Sequence, residues 1–97
     1  MSGFVIVEVV EVSNPAGMQE YAERARATVE QFSGRYRILR GKTDVAEGSW
    51  SPGPLVMLEF PSMEKAKAWY DSPEYRPLIA LRQAASKMNF IFVEGLD

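Results

Sequence analysis

Four short stretches of the chain are dense in apolar and β-branched residues. Runs of this length are too short for isolated helices and are typical of strands. The pattern therefore predicts four strands. They cover residues 4–12 (FVIVEVVEV), 35–42 (RYRILRGK), 55–60 (LVMLEF) and 89–94 (NFIFVE).

A helix is predicted between the first two strands. Apolar residues recur at helical spacing from Met18 to Phe32, with charged residues between them. Asn14 suits the N-cap and Pro15 the first helical position, while Gly34 is a usual stop signal. This segment therefore reads as one amphipathic helix that places its apolar stripe against the sheet.

A second helical region is predicted between the third and fourth strands, and it is split. Ser62 can cap its start, Pro73 interrupts it, and the apolar stripe resumes from Tyr75 to Ala85. Arg82 is the charged exception in that stripe, so we expect its guanidinium to reach the rim of the domain.

The order of these elements is β-α-β-β-α-β, which is the pattern of a ferredoxin-like α+β fold. Residues 1–97 are predicted to form a single domain, in which helices cover one face of a four-stranded antiparallel sheet.

The strands are apolar on both faces, whereas a half-covered antiparallel sheet normally alternates apolar and polar residues. In the first strand, Val5, Val7 and Val9 oppose a second row that includes Ile6 and Val10. Helices can cover only one of these faces, and the other would be a large exposed apolar patch. We therefore expect a homodimer in which this face meets its copy; the alternative is that its apolar side chains are simply exposed.

Composition excludes several classes of chemistry. The chain of 97 residues is 46% hydrophobic and 25% charged, with a net charge of -2, and it contains no cysteine and no histidine. It therefore lacks the ligands of thiolate zinc and histidine-bound metal or haem, and the commonest general base. We expect no metal and no cofactor, and the charge argues against a nucleic-acid partner.

No stretch approaches the ~20 apolar residues that span a bilayer, and the first residues, MSGF, do not begin a secretory signal pattern. We therefore expect a cytoplasmic protein without a membrane partner.

Several motifs make the chain recognisable at the family level. EFPS at 59–62 and AWYDSPEY at 68–75, with EGSW at 47–50, resemble the bacterial domain-of-unknown-function 1330 family. The resemblance covers nearly the whole chain and implies the dimeric α+β barrel superfamily. The chain departs from the pattern at 51–54, SPGP, where members often carry an arginine, and at 41–42, where two glycines are common. The superfamily includes cofactor-free monooxygenases, isomerases, haem enzymes and regulators, so the fold alone implies no reaction.

Glu8 and Glu59 are candidate acid–base residues, because the topology places their strands side by side and both point to the same face. Burial there would raise their pKa values and suit proton transfer. The alternative is that each pairs with an arginine of the partner or reaches solvent at a strand end.

A second set of candidates concerns ligand binding. Arg40 alternates along the strand with Tyr36 and Ile38, so all three are expected on one face, and its guanidinium could bind an anionic group. The alternative is that the basic residues of this strand protect the sheet edge from aggregation. Tyr36 could hydrogen-bond a substrate oxygen, and Tyr21 could line a cleft. Trp50 lies in a Gly/Pro-rich loop and could stack on a ligand.

Two functions remain open from the sequence. One is a metal- and haem-free enzyme that performs proton transfer or cofactor-free oxidation on a small organic molecule. The other is a non-catalytic, small-molecule-binding or stress-associated dimeric module. A cavity with a buried carboxylate would favour the enzyme, and a filled core would favour the second function.

Overall fold

A computed structural model describes residues 1–96 as a two-layer α+β domain. Its four strands form one antiparallel sheet in the order β2-β3-β1-β4. The elements, in chain order, are β1 (Gly3–Val12), α1 (Pro15–Gln31), β2 (Arg35–Gly41), β3 (Leu55–Phe60), α2 (Met63–Tyr70), α3 (Arg76–Ala85) and β4 (Ser86–Glu94). The predicted ferredoxin-like order is confirmed, and β2 lies at a sheet edge as expected.

The predicted starts of α1 and α2 are confirmed, whereas the helix expected to restart at Pro73 begins at Arg76. The Asn14 side chain accepts a hydrogen bond from the Gly17 amide at 3.1 Å, and Ser62 Oγ accepts one from the Lys65 amide at 3.1 Å. Each satisfies an amide that the first turn of a helix leaves without an intrahelical partner.

The start of β4 differs from its prediction. The strand begins at Ser86 rather than at residue 89, because Ser86, Lys87 and Met88 pair with the far end of β1. These three residues carry no strand pattern of their own, and α3 runs into them without a loop. Pairing with an existing strand therefore decides their conformation.

The core lies between the helices and the face of the sheet that carries Val5 and Val7. Its largest fully buried side chains include Trp69, Tyr75 and Phe60. The rings of Trp69 and Tyr75 are 4.1 Å apart between centroids. Both aromatics are therefore core residues.

The expectation for Arg82 is wrong. Its side chain does not reach the rim: the residue is 4% exposed, and its guanidinium lies 4.1 Å above the centre of the Phe90 ring. Because α3 passes directly into β4, the last turn of the helix is held against that strand. The aromatic face replaces part of the hydration that burial removes from the guanidinium.

The opposite side of the sheet carries no helix, and we call it the outer face. Its apolar residues are half-buried or exposed in the single chain, as the alternation in β1, β3 and β4 predicted. They are Phe4, Ile6, Val10, Ile38, Leu55, Met57, Ile91 and Val93. Within residues 1–96, no helix is long and apolar enough to cross a membrane. The expected cytoplasmic location stays a prediction.

Candidate functional site

A cavity of about 350 Å³ lies between α1 and the helix-facing side of the sheet. Apolar side chains form most of its wall, and Ala22 and Ala25 of α1 contribute to it. Because these two positions are alanines, α1 leaves space above the sheet that larger side chains would fill. Its polar groups come from Tyr21, Glu23, Arg26, Tyr36 and Arg40.

Tyr21 forms the buried part of the polar lining. Its hydroxyl lies 2.7 Å from the Tyr75 hydroxyl, and both residues are buried. Burial raises the pKa of Tyr21 far above its ordinary value, and the neighbouring Tyr75 raises it further. Tyr21 is therefore a neutral hydrogen-bonding group in the cavity wall at physiological pH. Its predicted place in a cleft agrees with this position.

Tyr36 and two arginines form the outer part of the same wall. Tyr36 is half-buried, and burial raises the pKa of its hydroxyl, an effect that Arg26 partly opposes. The Arg26 guanidinium lies 5.3 Å from the centre of the Tyr36 ring. Arg26 and Arg40 are exposed, so they sit where the cavity opens to solvent.

Arg40 reaches the cavity through an irregularity in β2. The register of β2 against β3 shifts twice, and Arg37 and Arg40 are the extra residues at these two bulges. Arg40 has a φ of 55°, in the left-handed region. The first bulge moves Ile38 to the outer face, opposite Met57, so the prediction that Ile38 shares a face with Arg40 is wrong. Tyr36 and Arg40 both line the cavity.

Glu59 lies on the outer face, as its parity predicted, and outside the cavity. It accepts hydrogen bonds from Ser2 Oγ at 2.6 Å and from Arg37 Nε at 2.7 Å. The Ser2 hydrogen bond, followed by that of Arg37, lowers the pKa of Glu59. The expected rise in pKa is therefore wrong for this residue, because its donors outweigh desolvation. Its arginine partner comes from its own chain.

Glu8 also lies on the outer face, and it too has donors. It accepts hydrogen bonds from the Gly53 amide at 3.0 Å and from Asn89 Nδ2 at 3.2 Å. The Gly53 amide is the main cause of a lowered pKa, so the expected rise is wrong here as well. Glu59 pairs with Phe4, four residues before Glu8 on β1, which separates the two carboxylates by roughly 13 Å along the strand.

Trp50 is the third candidate that the structure places outside the cavity. It is 64% exposed, in the loop of residues 42–54, and its side chain lies near Glu8 of the outer face. The structure thus brings Tyr21, Tyr36 and Arg40 together in one cavity, and leaves Glu8, Glu59 and Trp50 on the other side of the sheet.

Two charged residues near this cavity were missed from the sequence. Arg26 had no role assigned, although it follows Ala25 on the small-residue stretch of α1 that signals the open space. Arg82 was assigned to the rim because its burial depends on Phe90, which no local pattern indicates. Within residues 1–96, no group of three carboxylates could hold a metal ion.

The sheet order and the single helical layer define a ferredoxin-like fold, which solved structures share. The chain belongs to the family DUF1330, a Domain of unknown function, whose model matches residues 2–96. The family description agrees with the resemblance found in the sequence. No curated protein matches the chain in sequence.

Solved structures share this fold at low sequence identity. A protein of unknown function from Rhodopseudomonas palustris is 17% identical, with a TM-score of 0.76 over 99% of this chain and 83% of that chain. A dimeric ferredoxin-like protein of unknown function from Jannaschia is 15% identical, with a TM-score of 0.63 over 98% and 100%. SnoaB, a cofactor-independent oxygenase from Streptomyces nogalater, is 14% identical, with a TM-score of 0.61 over 99% and 93%.

Proposed function

We propose that this protein is a homodimer that binds a small, flat, largely apolar organic molecule in the cavity of each subunit. The cavity beneath α1 carries this proposal. Its volume of about 350 Å³ lies at the lower end of the roughly 300–1,000 Å³ that is typical of ligand pockets. That size suits a molecule of one or two rings.

The wall chemistry supports a ligand with an apolar body and few polar groups. The inner surfaces of Val7, Val56 and Leu58 would contact the body of the ligand. Tyr21 and Tyr36 line the wall, and their hydroxyls would offer hydrogen bonds to the ligand at two points. A mainly apolar wall with a small number of placed polar groups is typical of sites for small organic molecules.

The outer face supports the homodimer. The chain exposes 6337 Å², whereas a compact monomer of its mass exposes about 5,600 Å². The excess of roughly 700 Å² is close to the ~800 Å² that each partner buries in a standard interface. Several proteins of this fold are described as dimeric. A second copy that covers the outer face is the partner we propose.

A cofactor-independent oxidation is the second candidate function, and the similarity to SnoaB favours it. Tyr36 would hydrogen-bond the substrate oxygen in the cavity. Glu8 and Glu59, the sequence-based candidates for proton transfer, lie on the other face of the sheet with lowered pKa values. They are badly placed to take a proton from a molecule in the cavity, so binding is the function we favour.

A cavity-filling variant tests the proposal. Ala22→Trp fills the space under α1, and Ala27→Trp makes the same change at an exposed position of the same helix. One- and two-ring aromatic compounds are screened by NMR, with the Tyr21 and Tyr36 resonances as reporters. We expect compounds that shift both signals and bind Ala27→Trp normally, with affinity lost by at least tenfold in Ala22→Trp.

The screen also has a clear negative outcome. Compounds that bind Ala22→Trp as well as the wild type, or a panel in which none shifts the cavity resonances, would contradict ligand binding in this cavity. Oxygen consumption with the phenolic compounds that bind separates the two functions, since a binding module consumes none.

A further inference from the structure

Arg82 is a buried cation without a counter-charge in the part of the chain that the structure describes. It is 4% exposed, and its Nε atom has no hydrogen-bond partner among residues 1–96. The ion pairs of that region involve other arginines and lysines. A buried charge without an opposite charge is costly, and the Phe90 ring offsets only part of that cost.

A continuous row of side chains connects Arg82 to the cavity. Its guanidinium lies beside the buried hydroxyl of Tyr75; burial raises the pKa of Tyr75, while the hydrogen bond with Tyr21 and the positive charge of Arg82 lower it. The Tyr75 hydroxyl is 2.7 Å from that of Tyr21. Tyr21 lines the cavity, and so does Phe90, whose ring centre lies 4.1 Å from the Arg82 guanidinium.

The chemistry of arginine allows this row of hydrogen bonds to end on a donor that faces the cavity. A guanidinium has five N–H donors and no acceptor, so the Tyr75 oxygen acts as the acceptor towards Arg82. Either hydroxyl can donate in the hydrogen bond between Tyr75 and Tyr21; when Tyr75 donates, the Tyr21 proton is free to point into the cavity. Hydrogen bonds aligned in this order polarise one another, which strengthens the last donor.

We propose that the molecule bound in the cavity carries an anionic oxygen, a carboxylate or a phenolate, that accepts a hydrogen bond from the Tyr21 hydroxyl. Arg82 is a positioning residue for this contact: it orients the Tyr75–Tyr21 pair and supplies the positive charge behind it. This inference rests on the proposed function and defines the chemical class of its ligand.

Matched pairs of probes separate the anion from the apolar body. Benzoate is compared with benzyl alcohol, and 2-naphthoate with 2-naphthylmethanol, by calorimetry at pH 7.5. In the wild type, we expect each carboxylate to bind at least tenfold more tightly than its alcohol. Tyr21→Phe removes the donor, and Tyr75→Phe breaks the row, so both should reduce this ratio at least fivefold.

Controls distinguish the row from a general effect of charge. Arg82→Met removes the buried cation and should also lower the ratio; if it fails to fold, Tyr75→Phe still tests the row with a change of one atom. Arg76→Gln removes an exposed arginine of the same helix, and it should leave the ratio unchanged. A ratio that survives in Tyr21→Phe and Tyr75→Phe but is lost in Arg26→Gln would overturn the inference, because the rim would then hold the anion.

Failure of this inference can be told apart from failure of the proposed function. If carboxylates and alcohols bind equally, and Ala22→Trp abolishes both, the cavity binds ligands but the anionic class is wrong. If no member of either pair binds and the aromatic panel also fails, the proposed function and this inference are both overturned.

Discussion

At the scale of a single residue, Glu59 shows how hydrogen-bond donors set the pKa of a carboxylate. It accepts from Ser2 Oγ and Arg37 Nε, and its pKa is lowered from an ordinary value of 4.5. A carboxylate whose pKa is lowered by folding stabilises the folded state above its ordinary pKa. That contribution is lost as the pH falls through the lowered value.

Replacement of Glu59 by glutamine therefore has a pH-dependent effect. We expect Glu59→Gln to melt at a lower temperature than the wild type at pH 7, and the difference to close as the pH falls below 4.5. Thermal melts from pH 7 to pH 3 measure it. Glu74→Gln, at an exposed position between α2 and α3, is the control. A difference that persists unchanged at low pH would show that the charge of Glu59 does not stabilise the fold.

The sequence placed these residues on the correct face but did not reveal their surroundings. Alternation in β1 and β3 puts Glu8 and Glu59 on the outer face, and the structure confirms it. The donors that lower their pKa values lie far away in the chain: Gly53 is 45 residues from Glu8, and Ser2 is 57 residues from Glu59. No local pattern predicts such pairings, and the same holds for Arg82 above Phe90.

At the scale of elements, one buried hydrogen bond connects α1 to α2. Trp69 Nε1 donates to Thr28 Oγ1 at 3.0 Å, and the Thr28 hydroxyl donates to the Ala25 carbonyl oxygen at 2.7 Å. Both residues are buried. This link fixes the side of α1 next to the cavity against the second helical region.

Loss of the Thr28 hydroxyl, the acceptor of the Trp69 hydrogen bond, should lower the stability of the fold. Thr28→Val keeps the shape but leaves the Trp69 N–H buried without a partner, and we expect a loss of about 1–3 kcal/mol in the free energy of unfolding by urea titration. The double variant with Trp69→Phe should show a coupling term, because the unpaired N–H is then gone. Thr43→Val, in the exposed loop, is the control. A Thr28→Val protein as stable as the wild type would contradict this role.

Elements with a strong local sequence pattern are the ones that the sequence predicts best. β1, β3 and the capped helices carry a strong local signal, and their predicted bounds lie close to those observed. β2 breaks the period of two at Arg37 and Arg40, because a bulge inserts a residue that alternation alone does not mark. The alternation pattern therefore placed Ile38 on the wrong face of the sheet, whereas Arg40 and Tyr36 both line the cavity.

At the scale of the whole molecule, the outer face leads to a prediction about assembly. We expect sedimentation at micromolar concentration to give twice the chain mass of 10.9 kDa. Ile91 of β4 is 54% exposed on this face, opposite Ile6 of β1, so Ile91→Glu would bury a charge without a partner in the dimer and should yield monomers. Ala27→Glu, on the exposed side of α1, should remain dimeric. A wild-type monomer, or an Ile91→Glu dimer, would contradict the sheet-to-sheet arrangement.

The thinness of the domain, 36 × 36 × 16 Å, has a consequence for the life of the protein in a cell. In the proposed dimer a second copy supplies the third layer, so the law of mass action ties the stability of the chain to its abundance. Above the dissociation constant of the dimer, each tenfold dilution lowers the stabilisation from association by about 1.4 kcal/mol. A newly synthesised chain that has not met a second one leaves its sheet bare, and that interval is when chaperones and proteases compete for it.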